Sequence, residues 1–294
     1  NYSSASASTL QYQCQIGYYQ PNYSSTACIQ ADAGHVVQYQ GAHNQTPCSP
    51  GTYQFLLGAT SCFSANAGFQ VPSEGASSQE ECEPGTFSAN LGQAQCTDAS
   101  PGNFVSGSQQ TSQLPCQPGQ FQPDTGQTSC LQAYPGNYTD AEGTANQVPC
   151  ESGTYQPEAG QTSCLQAEPG NYSLAGATSQ SSCSAGTFSS EPGQSNCTQA
   201  EPGNYVSLDG ATTQIPCSSG EYQSDSGGVG CEQAPPGQAV SADGTSAPAP
   251  CPPGKYQPGQ GQSTCMAASP GHFVNESGSA VQTPCPPGSY QSEP

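Results

Sequence analysis

Large apolar side chains are sparse along this chain, and those present keep fixed places. The longest purely aliphatic run is two residues, as at Leu56-Leu57. No segment sustains an apolar period of 3.6 residues, so no amphipathic helix is predicted. The strict rhythm belongs to an aromatic that stands five residues after each of nine cysteines: Tyr19, Tyr53, Phe87, Phe121, Tyr155, Phe188, Tyr222, Tyr256 and Tyr290. Two residues before each of them is a glycine: Gly17, Gly51, Gly85, Gly119, Gly153, Gly186, Gly220, Gly254 and Gly288. Glycine in a Pro-Gly or Ser-Gly step supplies the positive φ of a tight turn. The aromatic is the largest apolar group available and is expected to pack over the turn and a disulfide as a miniature core.

The cysteines carry a repeat. Their spacing alternates between 14 and 20 residues from Cys14 to Cys285, except that Cys164 and Cys183 are 19 apart, where the Tyr172–Gly176 loop lacks one residue. The period is therefore 34 residues, with copies over 14–47, 48–81, 82–115, 116–149, 150–182, 183–216, 217–250 and 251–284 and partial copies over 1–13 and 285–294. Helical solenoids share this period, but the glycines and prolines in every copy break helices. Each copy is itself two similar halves of about 17 residues, as in Cys150–Cys164 and Pro169–Cys183. Both halves show a Gly, an aromatic two residues later, a second Gly and a Thr-Ser-like step.

Bridges across the shorter and the longer cysteine steps both fit the spacing, and the duplication decides between them. In the second half of a copy, the places equivalent to the two cysteines are Ala167 and Gln180. Both cysteines are missing together in every copy, as partners would be. The predicted bridges are Cys14–Cys28, Cys48–Cys62, Cys82–Cys96, Cys116–Cys130, Cys150–Cys164, Cys183–Cys197, Cys217–Cys231 and Cys251–Cys265. Each is worth about 3 kcal/mol, against about 1–2 kcal/mol of backbone ordering per residue. Turn hydrogen bonds and stacking on neighbouring copies must supply the rest, and the bridge-free half is expected to be softer. Cys285 is left unpaired in this stretch. The next cysteine of the pattern would fall beyond Pro294, and Asn1-Tyr2 aligns with Asn137-Tyr138, so the stretch reads as a window cut from a longer array.

Composition explains why bridges are needed. Only 32% of the 294 residues are apolar, Trp is absent, and there are 35 Gly and 28 Pro. Such a chain cannot bury one large core. Its 17 cysteines at regular spacing read as a disulfide framework, which persists outside the reducing cytosol. Charge narrows the partners, because 21 acidic residues face one basic residue, Lys255. No nucleic acid or anionic surface is expected to bind, and no apolar run is long enough for direct membrane insertion in this segment.

The run Cys150-Glu-Ser-Gly-Thr-Tyr155, closed by Gly160-Gln-Thr-Ser-Cys164, resembles the cysteine-rich repeats named after ephrin receptors. It is similar also to the first module of tumour necrosis factor receptor cysteine-rich domains. The resemblance covers the whole chain. It implies small disulfide-rich repeats in an extracellular protein: an elongated rod or solenoid of short β-hairpin-like modules, with little or no helix and no single core. It also implies that an opening cysteine bridges to the one closing the same loop. The chain departs from the family where Cys-x-x-Cys junctions would stand, at Cys164-Leu-Gln-Ala167 and Gln180-Ser-Ser-Cys183.

Residues with chemistry are few. His35, His43 and His272 stand at unrelated points and read as solvent-exposed. Cysteines 14 or more apart lack the close pairs of zinc sites. Glu80-Glu81 reads as solvated surface. No catalysis, metal or cofactor is expected, so the chain is read as no enzyme. Asn-x-Ser/Thr triplets at Asn1, Asn22, Asn44, Asn137, Asn171, Asn196 and Asn275 are candidate glycan sites. Of these, Asn137 and Asn171 follow a Pro-Gly turn and are expected to be exposed. The stretch from Cys28 to Cys62 departs most from the repeat, through His35, Val36-Val37, His43 and Phe55-Leu56-Leu57, and is where a lateral contact would lie. The expected protein is an extracellular structural rod that associates with itself into a glycosylated filament or cell-surface appendage. The alternative is the stalk of a receptor or adhesin that presents a separate binding domain.

Overall fold

The structure, a computed structural model, describes residues 13–22, 25 and 27–290. Asn1, most of the partial copy over 1–13 and the last four residues of that over 285–294 lie outside them. The chain divides into two compact units. One is built from the residues up to Ala133 with Thr139–Val148 and Gly160–Thr162, the other from Tyr134–Tyr138, Pro149–Ala159 and the residues from Ser163 onward.

The described residues form 16 two-stranded antiparallel sheets and no helix. Each half-copy is one hairpin with strands of two residues. In the copy 48–81, Thr52–Tyr53 pairs with Phe63–Ser64, and Phe69–Gln70 pairs with Glu80–Glu81. The fold is a tandem series of small disulfide-rich hairpins with no single core.

The turn that opens each hairpin follows from its residues. In Ser49-Pro50-Gly51-Thr52, the Thr52 N–H donates to the Ser49 carbonyl at 2.9 Å. Proline presets the first central position, and Gly51, at φ +86°, takes the left-handed second position of a type II turn. The hairpin is closed when the Ala65 N–H donates to the Gly51 carbonyl at 2.9 Å, so the first residue of one hairpin pins the one before it.

Strands of two residues do not hold alone. Within each unit, successive hairpins are tied by a recurring set of three backbone hydrogen bonds. In the first unit, Gly51 donates to Val71 at 2.8 Å, Gln54 to Ala76 at 3.1 Å, and Gly75 back to Cys48 at 2.8 Å. In the second, Gly203 donates to Gln223 at 2.7 Å, Val206 to Gly228 at 2.9 Å, and Gly227 back to Ala200 at 2.7 Å. The hairpin after next comes closer still. A Cβ on Gly51 would stand 2.2 Å from the Gly92 carbonyl oxygen, and one on Gly203 would stand 2.1 Å from that of Gly244. Glycine is therefore required twice at this place, for its φ and for the approach.

Burial runs in a thin line. Cys48, Ala65, Cys82 and Ala99, the first residues of successive hairpins, are buried. Six residues further on, a polar group alternates with valine: Gln54, Val71, Ser88 and Val105 are all buried. The buried glutamine is satisfied, as buried polar groups must be. Gln54 Nε2 donates to the Ser61 carbonyl at 2.7 Å, and its Oε1 accepts the Leu56 N–H at 2.9 Å. The aromatic expected to form the miniature core does not occupy it. Tyr53, Phe87, Tyr155 and Tyr222 are half-buried, and Phe121 alone of this set is buried. Adjacent strand residues face opposite sides, and the residue after the aromatic takes the inward side.

Candidate functional site

Two devices brace the hairpins. The structure joins the cysteines 14 residues apart, Cys14–Cys28 through Cys251–Cys265, with Cα atoms 5.7–5.8 Å from each other. The bridge-free half has a substitute that the sequence reading missed. Where the second cysteine would stand, a glutamine Oε1 accepts the backbone N–H of the residue following the buried alanine. Gln45 takes that of Asp32 at 2.7 Å, Gln79 that of Asn66 at 2.8 Å, and Gln113 that of Ser100 at 2.7 Å. Gln180, Gln214 and Gln282 do the same for Glu168, Glu201 and Ser269, each at 2.7 Å. The half expected to be soft is thus clasped at the same two ends, by a bond worth about 1 kcal/mol in place of about 3 kcal/mol. The recurrence of glutamine at this place was visible in the sequence, but its geometric role was not.

The residues with candidate chemistry are not brought together. Among the described residues, no group of three His, Cys, Asp or Glu side chains is placed to hold a metal ion. Glu80 and Glu81 are strand neighbours and so face opposite sides. The histidines are half-buried rather than exposed. In His35 and His272, Nδ1 lies 3.3 Å from the Ala33 carbonyl and 3.5 Å from the Pro270 carbonyl, two residues back in each case. His43 Nδ1 lies 3.1 Å from the Gln20 carbonyl. Tyr222 donates across its hairpin to Glu232 at 3.0 Å, and that bond, with some burial and the carboxylate charge, raises its pKa above the ordinary tyrosine value. Cys285 is half-buried and in no bridge.

The candidate glycan sites divide by exposure. Asn22, Asn44, Asn196 and Asn275 are exposed. Asn137 and Asn171, expected to be the most open, are half-buried. Each begins a strand, and its Nδ2 folds back on the carbonyl of the preceding proline, Asn137 on Pro135 at 3.2 Å and Asn171 on Pro169 at 3.4 Å. Asn171 Oδ1 also accepts the Ser182 hydroxyl at 3.0 Å.

The divergent stretch yields one surface feature. Val36 and Val37 belong to the buried line, Val37 packing with Ala31 and Ala42. Phe55, Leu56 and Leu57 are more than half exposed at 58%, 51% and 61%, and Phe63 is 46% exposed. The rings of Phe55 and Phe63 stack with centroids 5.6 Å apart, and Tyr53 stands 6.0 Å from Phe63. These side chains form one exposed apolar cluster on a single hairpin.

Among the described residues, no helix is long and apolar enough to cross a membrane. No protein-family model matches the chain, and no curated protein is similar to it in sequence. Eight regularly spaced disulfides in tandem hairpins mark a protein of an oxidising, extracellular or secretory setting.

Proposed function

We propose that this chain is an extracellular structural protein, with no enzymatic role, whose tandem hairpins build a rod that assembles into a filament, appendage or fibre. Glycans on the exposed Asn22, Asn44, Asn196 and Asn275 would clothe it. The observation that carries this reading is repetition of the same bonds. Within each unit, one set of three backbone hydrogen bonds links every hairpin to its successor, and a bridge or a glutamine clasp braces most of the loops, the loop ending at Pro248 excepted. Such a series transmits load along the chain from hairpin to hairpin, as in other quasi-one-dimensional arrays. The resemblance of each Cys-x-x-Gly-x-aromatic opening to ephrin-receptor-type repeats supports an extracellular architectural role.

The test is gold-labelled antibody against the repeats, applied to native secreted or surface material under the electron microscope. Labels spaced regularly along filaments support the fibre. Labels confined to short stalks beneath separate globular heads overturn it in favour of a receptor or adhesin stalk.

A further inference from the structure

The repeat provides its own control for the apolar cluster. The loop positions of Phe55-Leu56-Leu57 are filled in the six later copies by Ala89-Asn90-Leu91, Pro123-Asp124-Thr125, Pro157-Glu158-Ala159, Ser190-Glu191-Pro192, Ser224-Asp225-Ser226 and Pro258-Gly259-Gln260. Four copies thus place an acid where this one places Leu56. The loops with a glutamine at the place of Gln54 share one brace. Gln54 binds the Leu56 N–H at 2.9 Å, as Gln122 binds the Asp124 N–H at 3.1 Å and Gln223 the Asp225 N–H at 3.0 Å. The fold therefore does not demand Phe-Leu-Leu here, and its exposure costs solubility for no gain in packing.

Charge is distributed in step with this substitution. The net charge is −20, yet residues 33–73 contain no Asp, Glu, Lys or Arg, and Asp32 is the one such residue in 1–73. The exposed apolar cluster lies inside the widest neutral stretch of a strongly anionic chain. From Glu74 onward acids recur along the chain, and two copies approaching each other over most of that length bring acid against acid. Here they bring aromatic and aliphatic side chains together without opposing charges, and the Phe55–Phe63 stack already holds two rings in place.

We propose that the Tyr53, Phe55, Leu56, Leu57 and Phe63 surface docks a second copy of this chain through the same surface. The contact is self-complementary, as two-fold contacts between identical chains are. It deepens the fibre reading, on which it rests, by naming the lateral contact. Its signature is salt dependence. Salt screens the repulsion between the acidic remainders within about 8 Å at physiological ionic strength, so association strengthens as salt rises, whereas a contact built on opposite charges weakens.

Sedimentation velocity on the full chain over a concentration series, at low and at physiological salt, tests this. One variant carries Phe55→Pro, Leu56→Asp and Leu57→Thr, a loop the chain itself uses at 123–125; a second carries Phe63→Thr, matching Thr97 at the same strand place. Retained bridges in non-reducing mass spectra show that each variant is folded. The expected result is reversible self-association of the parent chain, strengthened by salt, and at least about tenfold weaker in both variants, which is about 1.4 kcal/mol. A parent chain that stays monomeric overturns the proposal, as does equal association of parent and variants. Binding of the monomer to phosphatidylcholine vesicles through these residues, without self-association, also overturns it. Filament labelling fails or succeeds independently: filaments that persist while both variants associate like the parent leave the fibre reading intact and remove this contact.

Discussion

Replacing Gly170 and Gly210 by alanine, one at a time, separates the two demands that the fold places on glycine. Both residues have left-handed backbone, with φ of +82° and +73°. Alanine pays about 1–2 kcal/mol for that conformation at either place. The surroundings differ. A Cβ on Gly170 would stand 2.2 Å from the Gly210 carbonyl oxygen, whereas one on Gly210 would meet nothing within 4 Å. A carbon needs roughly 3.3 Å from a carbonyl oxygen, so Gly170→Ala forces the two hairpins apart by about 1 Å. That opens the Gly170 N–H to Ser189 bond at 2.8 Å and the Gly210 N–H to Cys183 bond at 2.7 Å, each worth about 1 kcal/mol net. Gly170→Ala should cost about 3–4 kcal/mol and Gly210→Ala about 1–2 kcal/mol. A linear array opens in segments, so a global unfolding midpoint would blur the difference. Native-state hydrogen exchange at the Gly170, Ser173 and Cys183 amides reads it directly. A gap of 2 kcal/mol appears as about thirtyfold faster exchange in the Gly170 variant than in the Gly210 variant. Equal acceleration in the two, or a larger effect at Gly210, would refute the close approach between alternate hairpins.

Three further outcomes are expected. Gln122→Ala orphans the Asp124 N–H and the Ser129 carbonyl, which the buried amide binds at 3.1 and 2.9 Å. It should destabilise that loop by about 1–3 kcal/mol per group, with Gln122→Ser, the residue found at Ser88, milder by amide exchange at Asp124. The double variant Ala65→Cys with Gln79→Cys should form a ninth bridge in the place of the clasp and add about 2 kcal/mol of local stability, about 3 for the bridge less about 1 for the lost clasp. Thiol titration then reads no more free cysteine than in the parent chain, and two extra thiols would contradict the equivalence of bridge and clasp. Trypsin should cut only after the exposed Lys255, inside the Cys251–Cys265 loop. The chain should run whole on a non-reducing gel and as two pieces on a reducing one.

Much of the fold was legible because covalent and steric constraints act locally. The absence of any helix among the described residues follows from the glycines and prolines in every copy. The Ser49-Pro50-Gly51-Thr52 turn is read from two residues. The joint loss of cysteines at Ala167 and Gln180 pointed to the pairing that the structure contains. What stayed hidden depends on neighbours distant in sequence. Nothing in a single half-copy says that Gly51 meets Gly92, because that contact exists only when three hairpins are stacked. The inward position went to the residue after the aromatic, Gln54 after Tyr53 and Val105 after Phe104, because adjacent strand residues face opposite sides, and a polarity argument favours the wrong residue in the first case. Asn137 and Asn171 looked open beside their turns, yet the strand that begins with each one turns the amide back onto the preceding proline. The Phe55-Leu56-Leu57 surface was visible as a departure from the repeat, but Val36-Val37 beside it was not separable from it until burial assigned the valines to the interior.

Mapping the bridges of the native secreted chain tests the fold and its extracellular setting together. Pepsin digestion at low pH, where thiols do not exchange, followed by non-reducing mass spectrometry would identify each linked pair of peptides. Eight links, each joining a cysteine to the one 14 residues ahead, are the expected result. Links across the intervening longer steps, or free thiols at Cys48 and Cys62, would contradict the braced hairpin series and the structural role built on it.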